Sequence, residues 1–223
     1  MSKEQTRARL LDAAERLFAE NGFDGTSLRT ITSAADANLA AVNYHFQSKE
    51  GLIAAVFSRR IEPLNQERIT RLDQAIRAAA PAPPDLEDIL RAFLLPTLRL
   101  RGTADGLEAG HFLQLLGRVF SDPGSIKAVV LSQFRPTAQR FLEVLSQALP
   151  QLPRPELLWR LHFLIGSLAH AHAAGELIRL MSAGACDPDD GEGVLQHLTT
   201  FAAAGFRAPH TRPAPQKASM VNP

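Results

Sequence analysis

The sequence predicts an all-α protein, and three observations support this. Apolar residues recur three and four positions apart through most of the chain as far as residue 206, which is the spacing of one face of an α-helix. The stretches between these runs contain Pro, Gly, Asp and Asn, which end helices and form turns. We find no convincing strand pattern and no internal repeat.

Composition and charge narrow the class of protein. The 223 residues are 45% hydrophobic and 21% charged, enough for a sizeable core in one large domain or in a small and a larger one. The single cysteine, Cys186, excludes a disulfide within the chain and fits a reducing cytoplasm. The charged N-terminus is no signal peptide, and no uncharged apolar run approaches the roughly 20 residues of a membrane span. We therefore expect a cytoplasmic protein with no membrane partner.

A first amphipathic helix is predicted over Lys3 to Glu20, ended by Asn21-Gly22. Arg7 and Arg9 lie on its outer face, where they either contact DNA phosphates or are simply solvated. The net charge of +1 does not by itself indicate a nucleic-acid-binding protein, so an argument for DNA binding must rest on a motif.

The stretch from Thr26 to Lys49 predicts a helix, a tight turn and a second helix. Thr26 or Ser27 caps the first helix, and the second, Leu39 to Phe46, follows the turn at Asp36-Ala37-Asn38. Two short helices joined in this way form a helix-turn-helix, whose second helix enters the DNA major groove.

The second helix carries side chains suited to DNA on one face. Val42 and Phe46 are apolar and four apart, so they should face the core. Ala40 and Ala41 are small and allow close approach to the bases, and Asn43, Tyr44 and His45 offer hydrogen-bonding groups. Lys49, just beyond this helix, offers a positive charge to phosphate. The alternative is that these are ordinary helices of an all-α core, with buried aromatic residues.

This stretch resembles the DNA-binding signature of the TetR family of bacterial transcriptional regulators. Asp36 stands where the turn usually has Gly, and Ala37 where a larger aliphatic residue is usual; Asp tolerates the left-handed conformation, so the turn should survive. The resemblance covers roughly the first fifth of the chain, and the residues that carry it are Gly22-Phe23, Gly25-Thr26-Ser27, Ile31, Ala35, Ala41 to Phe46 and Ser48-Lys49-Glu50.

The resemblance implies an N-terminal three-helix helix-turn-helix DNA-binding domain, residues 1–50, and a larger C-terminal helical ligand-binding and dimerisation domain, residues 51–206. The proline-rich residues 207–223 lack periodicity and should form a disordered tail. Base contacts are expected from the start of the second helix, and backbone contacts from the residues around it. The full predicted DNA-binding set is Thr26, Ser27, Arg29, Asn38, Leu39, Ala40, Ala41, Asn43, Tyr44, His45 and Lys49.

The rest of the chain is predicted to be a series of longer helices. One begins after Ser48 and continues past Pro63, which should kink or split it. The others are expected to begin at Asp85 (kinked at Pro96) and near Gly106, then to run over Ser125 to Leu149 (bent near Pro136), Pro155 to Leu180, and Val194 to Phe206.

The family resemblance implies a homodimer formed through the last two long helices. The expected interface residues are apolar or lie beside apolar positions: Leu157, Leu161, Leu164, Leu168, Ala169, His172, Leu195 and Leu198. It also implies a small-molecule effector, and the later segments look most like a branch that includes fatty-acid-responsive regulators. Taken singly, each candidate residue fits better as a core side chain, or as an exposed or structurally paired one. The candidate ligand-binding residues are Phe93, His111, Phe112, Leu115, Arg118, Phe134, Arg135, Phe141 and Phe163.

No catalytic constellation or cofactor motif stands out, so we expect no enzyme and no cofactor. His170 and His172 point about 200° apart on a helix, and no Cys/His cluster has zinc spacing, so no metal site is expected. The sequence thus predicts a ligand-responsive repressor that binds a palindromic double-stranded DNA operator. The competing interpretations are a helical enzyme or small-molecule carrier with a vestigial head, and a protein-interaction adaptor.

Overall fold

The structure, a computed structural model, describes residues 2–100, Phe112, residues 115–117, Val119 and residues 125–210. In this part the chain forms α-helices and no strands, which confirms the predicted fold class. Phe112, residues 115–117 and Val119 are helical. The other helices are α1 (Lys3–Asn21), α2 (Leu28–Ala34), α3 (Leu39–Phe46), α4 (Lys49–Ala79), α5 (Leu86–Arg99), α6 (Ser125–Ser132), α7 (Arg135–Ala148), α8 (Arg154–Ala173), α9 (Gly175–Met181) and α10 (Gly191–Arg207).

Three predicted helices differ from those observed. Pro63 does not split α4, which is continuous over 31 residues. The helix expected over Ser125 to Leu149 is two helices, because the chain turns at residues 133–134 and Pro136 falls in the first turn of α7, where its missing N–H costs nothing. The helix expected over Pro155 to Leu180 ends at Ala173, since Ala174 leaves the helical conformation at φ −116° and ψ 28°.

Two apolar cores organise the described residues. We call the first the head: α1, α2, α3 and α4 as far as Ile61, packed around Leu10, Phe18 and Phe57. We call the second the body: the rest of α4 with α5, α7, α8 and α10. Four residues from later in the chain join the head core, namely Phe112, Leu115, Val119 and Val130.

Because side chains of α4 pack in both cores, this one uninterrupted helix connects the head to the body. The predicted domain boundary at residue 50 falls in its first turn, whereas α4 side chains pack in the head core as far as Ile61. Of the helix predicted to begin near Gly106, the structure describes only Phe112, residues 115–117 and Val119, which are helical; its other residues and the tail beyond residue 210 lie outside the described residues. No helix in the described part is long and apolar enough to cross a lipid bilayer.

Candidate nucleic-acid interface

Side-chain caps define the two helices of the predicted motif. The Ser27 hydroxyl accepts a hydrogen bond from the Thr30 N–H at 3.0 Å, and the Asn38 carbonyl oxygen accepts one from the Ala41 N–H at 2.9 Å. Asp36 adopts φ +45° between them, the left-handed conformation expected of this turn. The helix-turn-helix inferred from the sequence is therefore formed, with Ser27 as the first cap.

Two residues expected near DNA are instead part of the scaffold. Thr26 is only 1% exposed, and its hydroxyl lies 3.1 Å from the Leu17 carbonyl and 2.8 Å from that of Gly22. Arg9 donates from Nε to the Ala35 carbonyl at 2.8 Å and from Nη2 to the Asp36 carboxylate at 3.2 Å, so it closes the end of α2. Thr26 is thus corrected to a buried structural residue, and Arg9 to a residue that positions the turn.

The two faces of α3 separate core from surface. Val42 and Phe46 are buried as predicted, while Ala41 is half-buried against the head core. Asn43 is exposed, and its side chain makes no hydrogen bond to any described residue. The outer face exposes the predicted base-contacting groups, together with a Tyr44 side chain that is 66% exposed: Asn38, Leu39, Ala40, Asn43 and Tyr44.

Positive charges surround this face. Lys3 donates from Nζ to the Tyr44 hydroxyl at 3.1 Å and lies 5.0 Å from the ring centroid. The Arg7 guanidinium lies 5.6 Å from the Phe46 ring. Arg29 is exposed and Lys49 half-buried, and neither forms an ion pair within the described residues. Sequence reasoning missed Lys3, because nothing local connects it to a residue 41 positions away.

A strained turn sets the angle between α3 and α4. The Ser48 N–H donates to the Phe46 carbonyl at 2.8 Å, and Gln47 between them has φ +67° and ψ −40°, the geometry of a γ-turn that is rare outside glycine. A Cβ on Gly51 would lie 2.0 Å from the same Phe46 carbonyl oxygen. The two helices therefore meet so closely that only glycine fits at position 51.

An ionic cluster ties α1 to α4. The Glu15 carboxylate is 4% exposed, accepts from Arg60 Nε at 3.1 Å and also pairs with the Arg59 guanidinium. Arg59 in turn pairs with Asp12 at 2.5 Å. Since α4 continues into the body, this cluster holds the head at a fixed orientation on that helix.

Head and body meet at an open cleft of about 810 Å³ lined by α1, α4 and the start of α7. Asn65 donates to the Gln133 carbonyl at 3.1 Å, and the Gln133 amide donates to the Ala54 carbonyl at 3.2 Å. These bonds orient both side-chain amides and link α4 to the turn between α6 and α7. They make that turn a direct contact between the body and the helix that carries the head.

The predicted ligand-binding residues do not form one site. Phe93 and Phe141 pack edge to face at 5.2 Å in the body core. Phe112 and Leu115 belong to the head core and the half-buried Phe134 packs against it; the ring centroids of Phe112 and Phe57 lie 6.2 Å apart. Arg135 and Phe163 are exposed, and His111 and Arg118 lie outside the described residues. Of the candidates that the structure describes, two lie in the body core, three lie in or against the head core and two are exposed, so the candidate set is corrected: these residues do not line one site.

The predicted dimer helices carry their exposed apolar residues on other faces than expected. Leu157, Leu161, Leu164, Leu168, Leu195 and Leu198 are all buried in the chain's own body core. Ala169 is exposed and His172 half-buried. The outward side chains of α8 and α10 include Leu158, Trp159, Phe163 and Phe201, and we call these four the outer aromatic face. Trp159 and Phe163 stack at 5.8 Å, and Phe163 is 62% exposed.

Hydrogen bonding and burial shift the pKa values of two side chains of α4, Glu50 and Arg68. Hydrogen bonds from its own backbone N–H and from Ser48 lower the pKa of Glu50 at the start of α4. Burial lowers the pKa of Arg68 in the body to about 10. Among the described residues, no group of three His, Cys, Asp or Glu side chains is placed to hold a metal ion.

Comparison with known proteins agrees with this geometry. Residues 10–56 match the bacterial regulatory proteins of the tetR family, and residues 91–205 match the tetracyclin repressor-like C-terminal domain. The regulator AcrR of Shigella flexneri is 32% identical over 95 residues, which span 43% of this chain and 41% of AcrR. The chain covers well under two thirds of such curated relatives.

Solved structures match over nearly the whole chain at lower identity. The fatty acid degradation regulator FadR from Bacillus halodurans aligns with a TM-score of 0.66 at 12% identity, over 90% of this chain and 99% of FadR. NalD of Pseudomonas aeruginosa aligns with a TM-score of 0.62 at 24% identity, over 92% of this chain and 98% of NalD. These likenesses establish the fold, and the two domain matches together cover the helix-turn-helix and most of the body. The chain therefore belongs to the TetR family of bacterial DNA-binding transcriptional regulators and is not an enzyme.

Proposed function

We propose that this protein is a repressor that binds a palindromic operator as a homodimer and is released by a small apolar effector, in the bacterial cytoplasm. The observation that carries the proposal is the outer face of α3. Leu39, Ala40 and Asn43 are exposed there, on a helix whose other face is fixed in the head core. A helix presented in this way suits the major groove.

The chemistry of α3 suits direct readout of bases. The Asn43 amide offers a donor and an acceptor to adenine, and Leu39 and Ala40 offer apolar contact to thymine methyl groups. Lys3, Arg29 and Lys49 surround the helix as cations suited to phosphates. The Tyr44 hydroxyl, which accepts a hydrogen bond from Lys3, would contact the DNA backbone in this arrangement.

Two heads are needed to read two half-sites about 34–36 Å apart in successive major grooves. The outer aromatic face supports a dimer built on α8 and α10, because Trp159 and Phe163 stack in the open on α8 and Phe201 is exposed on α10, in a chain that has a full core of its own. Ala169 and His172 lie near the C-terminal end of α8 and would extend the proposed contact along that helix.

The effector class rests on the apolar character of the body and on the family resemblance. The FadR protein of similar fold regulates fatty acid degradation, and NalD is a secondary repressor of a multidrug efflux pump. An acyl chain buried among apolar side chains gains about 0.8 kcal/mol per methylene. We therefore propose a fatty acid or acyl-coenzyme A thioester as the effector class to test first.

Fluorescence anisotropy on duplex DNA from upstream of the protein's own gene tests the central proposal. We expect saturable binding of the parent, binding that weakens steeply with salt, and a relaxed preference at one base position in Asn43→Ala. Gln147→Ala, an exposed amide on α7, is the matched control and should bind as the parent does. Equal affinity of the parent for operator and scrambled DNA would instead favour a carrier with a vestigial head.

A further inference from the structure

Three charged side chains of the described residues are more than nine-tenths buried: Glu15, Arg68 and Arg160. Glu15 pairs with Arg59 and Arg60. Arg160 lies 2.8 Å from the Glu156 carboxylate, and its Nη1 donates to the Phe206 carbonyl at 2.6 Å. Arg68, which is 5% exposed, has no carboxylate partner in the described part of the chain.

The groups that Arg68 contacts among the described residues are neutral. Its Nε donates to the Phe93 carbonyl at 3.0 Å, and its Nη2 donates to the Thr97 hydroxyl at 2.8 Å. The guanidinium carbon lies 4.0 Å from the Phe93 ring centroid. A guanidinium has five N–H donors, so both donors on Nη1 and one on Nη2 have no partner among the described residues. Nη1 and Nη2 together form the fork that binds a carboxylate through two hydrogen bonds.

An unpaired buried charge is costly, and a structural role does not account for it. Arg68 ties α4 to α5 through a carbonyl one turn before Pro96, but an uncharged amide donor makes such a bond without the cost of desolvating a charge. Burial lowers the pKa of Arg68 only to about 10, so the side chain stays protonated at neutral pH. The charge is therefore present in the body core and has no counterion from the described residues.

We propose that Arg68 is the anchor for the carboxylate of a small amphiphilic acid, whose apolar part lies among the body residues beside Phe93. The inference rests on the proposed function, since this acid would be the effector, and it adds the chemical group that the effector must carry. Phe93 and Thr97 complete the site by holding the guanidinium from its other side.

The test is thermal unfolding of the full chain with matched acid and alcohol probes: hexanoate, decanoate and palmitate against hexanol, decanol and hexadecanol. The parent should be stabilised more by an acid than by the alcohol of the same length. Arg68→Met should respond equally to both. Arg160→Met, the matched control, removes a buried arginine that already has a carboxylate partner and should keep the preference for acids, although its baseline melting temperature falls.

A measurement without probe separates ligand anchoring from a purely structural role. Arg68→Met should melt no lower than Arg160→Met, because it removes an unpaired charge and leaves none behind. Should Arg68→Met not fold, Arg68→Lys keeps the charge without the fork, and its affinity for the acid should fall at least several-fold. Equal stabilisation of the parent by acids and alcohols at every length, or an unchanged acid preference in both Arg68 variants, overturns the inference.

Operator binding of the probe-free parent, measured alongside, keeps the two proposals distinguishable. If the parent binds operator and shows no acid preference, the Arg68 site is wrong and the regulator proposal stands. If the acid preference follows Arg68 but no operator binds, the anion site stands and the repressor proposal falls.

Discussion

Single residues contribute to the proposed DNA interface in three different ways, as Asn43, Arg29 and Gln47 illustrate. Asn43 offers a hydrogen-bonding edge with no partner among the described residues, Arg29 offers an exposed charge, and Gln47 contributes only a backbone conformation. Base contacts give specificity, charge contacts give affinity, and backbone geometry places both. Substitution at each should therefore change a different measured quantity.

Asn43→Ala should cost about 1–3 kcal/mol of binding at one base position and relax the preference there. Arg29→Gln should weaken binding to all sequences equally and reduce the salt dependence by roughly one unit of slope, because it removes one phosphate contact. Anisotropy titrations on operators substituted one position at a time, repeated at several salt concentrations, distinguish the two. Identical behaviour of both variants would contradict the assignment of α3 to the major groove.

Gln47→Gly should stabilise the head. A non-glycine residue in this conformation stores about 1–3 kcal/mol of strain, which glycine relieves. Glycine also gives the unfolded chain more conformational freedom, and this destabilises the folded protein by about 0.4–1 kcal/mol. We expect a net gain of about 1 kcal/mol in the free energy of unfolding, measured by urea denaturation. Gln139→Gly, at an exposed position inside α7, is the control and should lose roughly 0.5–1 kcal/mol. A loss at both positions would show that Gln47 is not strained.

At the scale of elements, the orientation of α3 on α4 depends on a close backbone approach. Gly51→Ala would place a Cβ 2.0 Å from the Phe46 carbonyl oxygen, which backbone atoms cannot relieve without separating the helices. We expect a loss of about 3 kcal/mol or more in stability and loss of operator binding. Gly117→Ala, at an exposed helical glycine with open space around it, should keep operator binding and gain roughly 0.5–1 kcal/mol in stability. Retained operator binding in Gly51→Ala would show that the α3–α4 angle tolerates change.

A surface ion pair joins α5 to α10 and should make stability depend on pH. Hydrogen bonds from Arg207, at 2.5 and 2.7 Å, lower the pKa of Glu87 below its ordinary value. A lowered pKa in the folded state stabilises the protein above the unfolded value of about 4.3, and this contribution is lost as the pH falls through the folded value. Glu87→Gln should therefore be less stable than the parent at neutral pH, and the difference should vanish in acid. A constant difference across this range, measured by thermal unfolding, would exclude the ion pair as its cause.

At the scale of the whole molecule, neighbouring residues on α8 have opposite roles. Phe163 points outward, whereas Leu164 packs in the body core. Phe163→Asp should yield a folded monomer that no longer binds the operator, because one head makes too few contacts. Leu164→Asp should unfold the body, since it buries a charge without a partner. Sedimentation and circular dichroism of the two variants decide, and a dimeric Phe163→Asp variant would place the interface elsewhere.

Patterns local in sequence were sufficient to predict the helices of the head and their caps. Ser27 and Asn38 bond to backbone groups three residues away, and periodicity distinguished Val42 and Phe46 from their exposed neighbours. The same reasoning failed on α8, whose apolar residues cover most of its circumference. Periodicity cannot tell which apolar face of such a helix meets its own core, so the predicted interface leucines proved to be buried.

The sequence by itself determined the all-α fold and the helix-turn-helix, because helices, caps and tight turns depend on interactions between residues a few positions apart. It also indicated the family, because the motif that identifies the family is local in sequence. Tertiary structure decided what depends on groups far apart in the chain. It placed Lys3 on Tyr44, buried Thr26, joined the two cores through α4, and left Arg68 enclosed without a carboxylate from the described residues. The physical reason is that burial and charge pairing are set by which helices pack together, and the free energy of a charged side chain depends on that environment far more than on its neighbours in sequence.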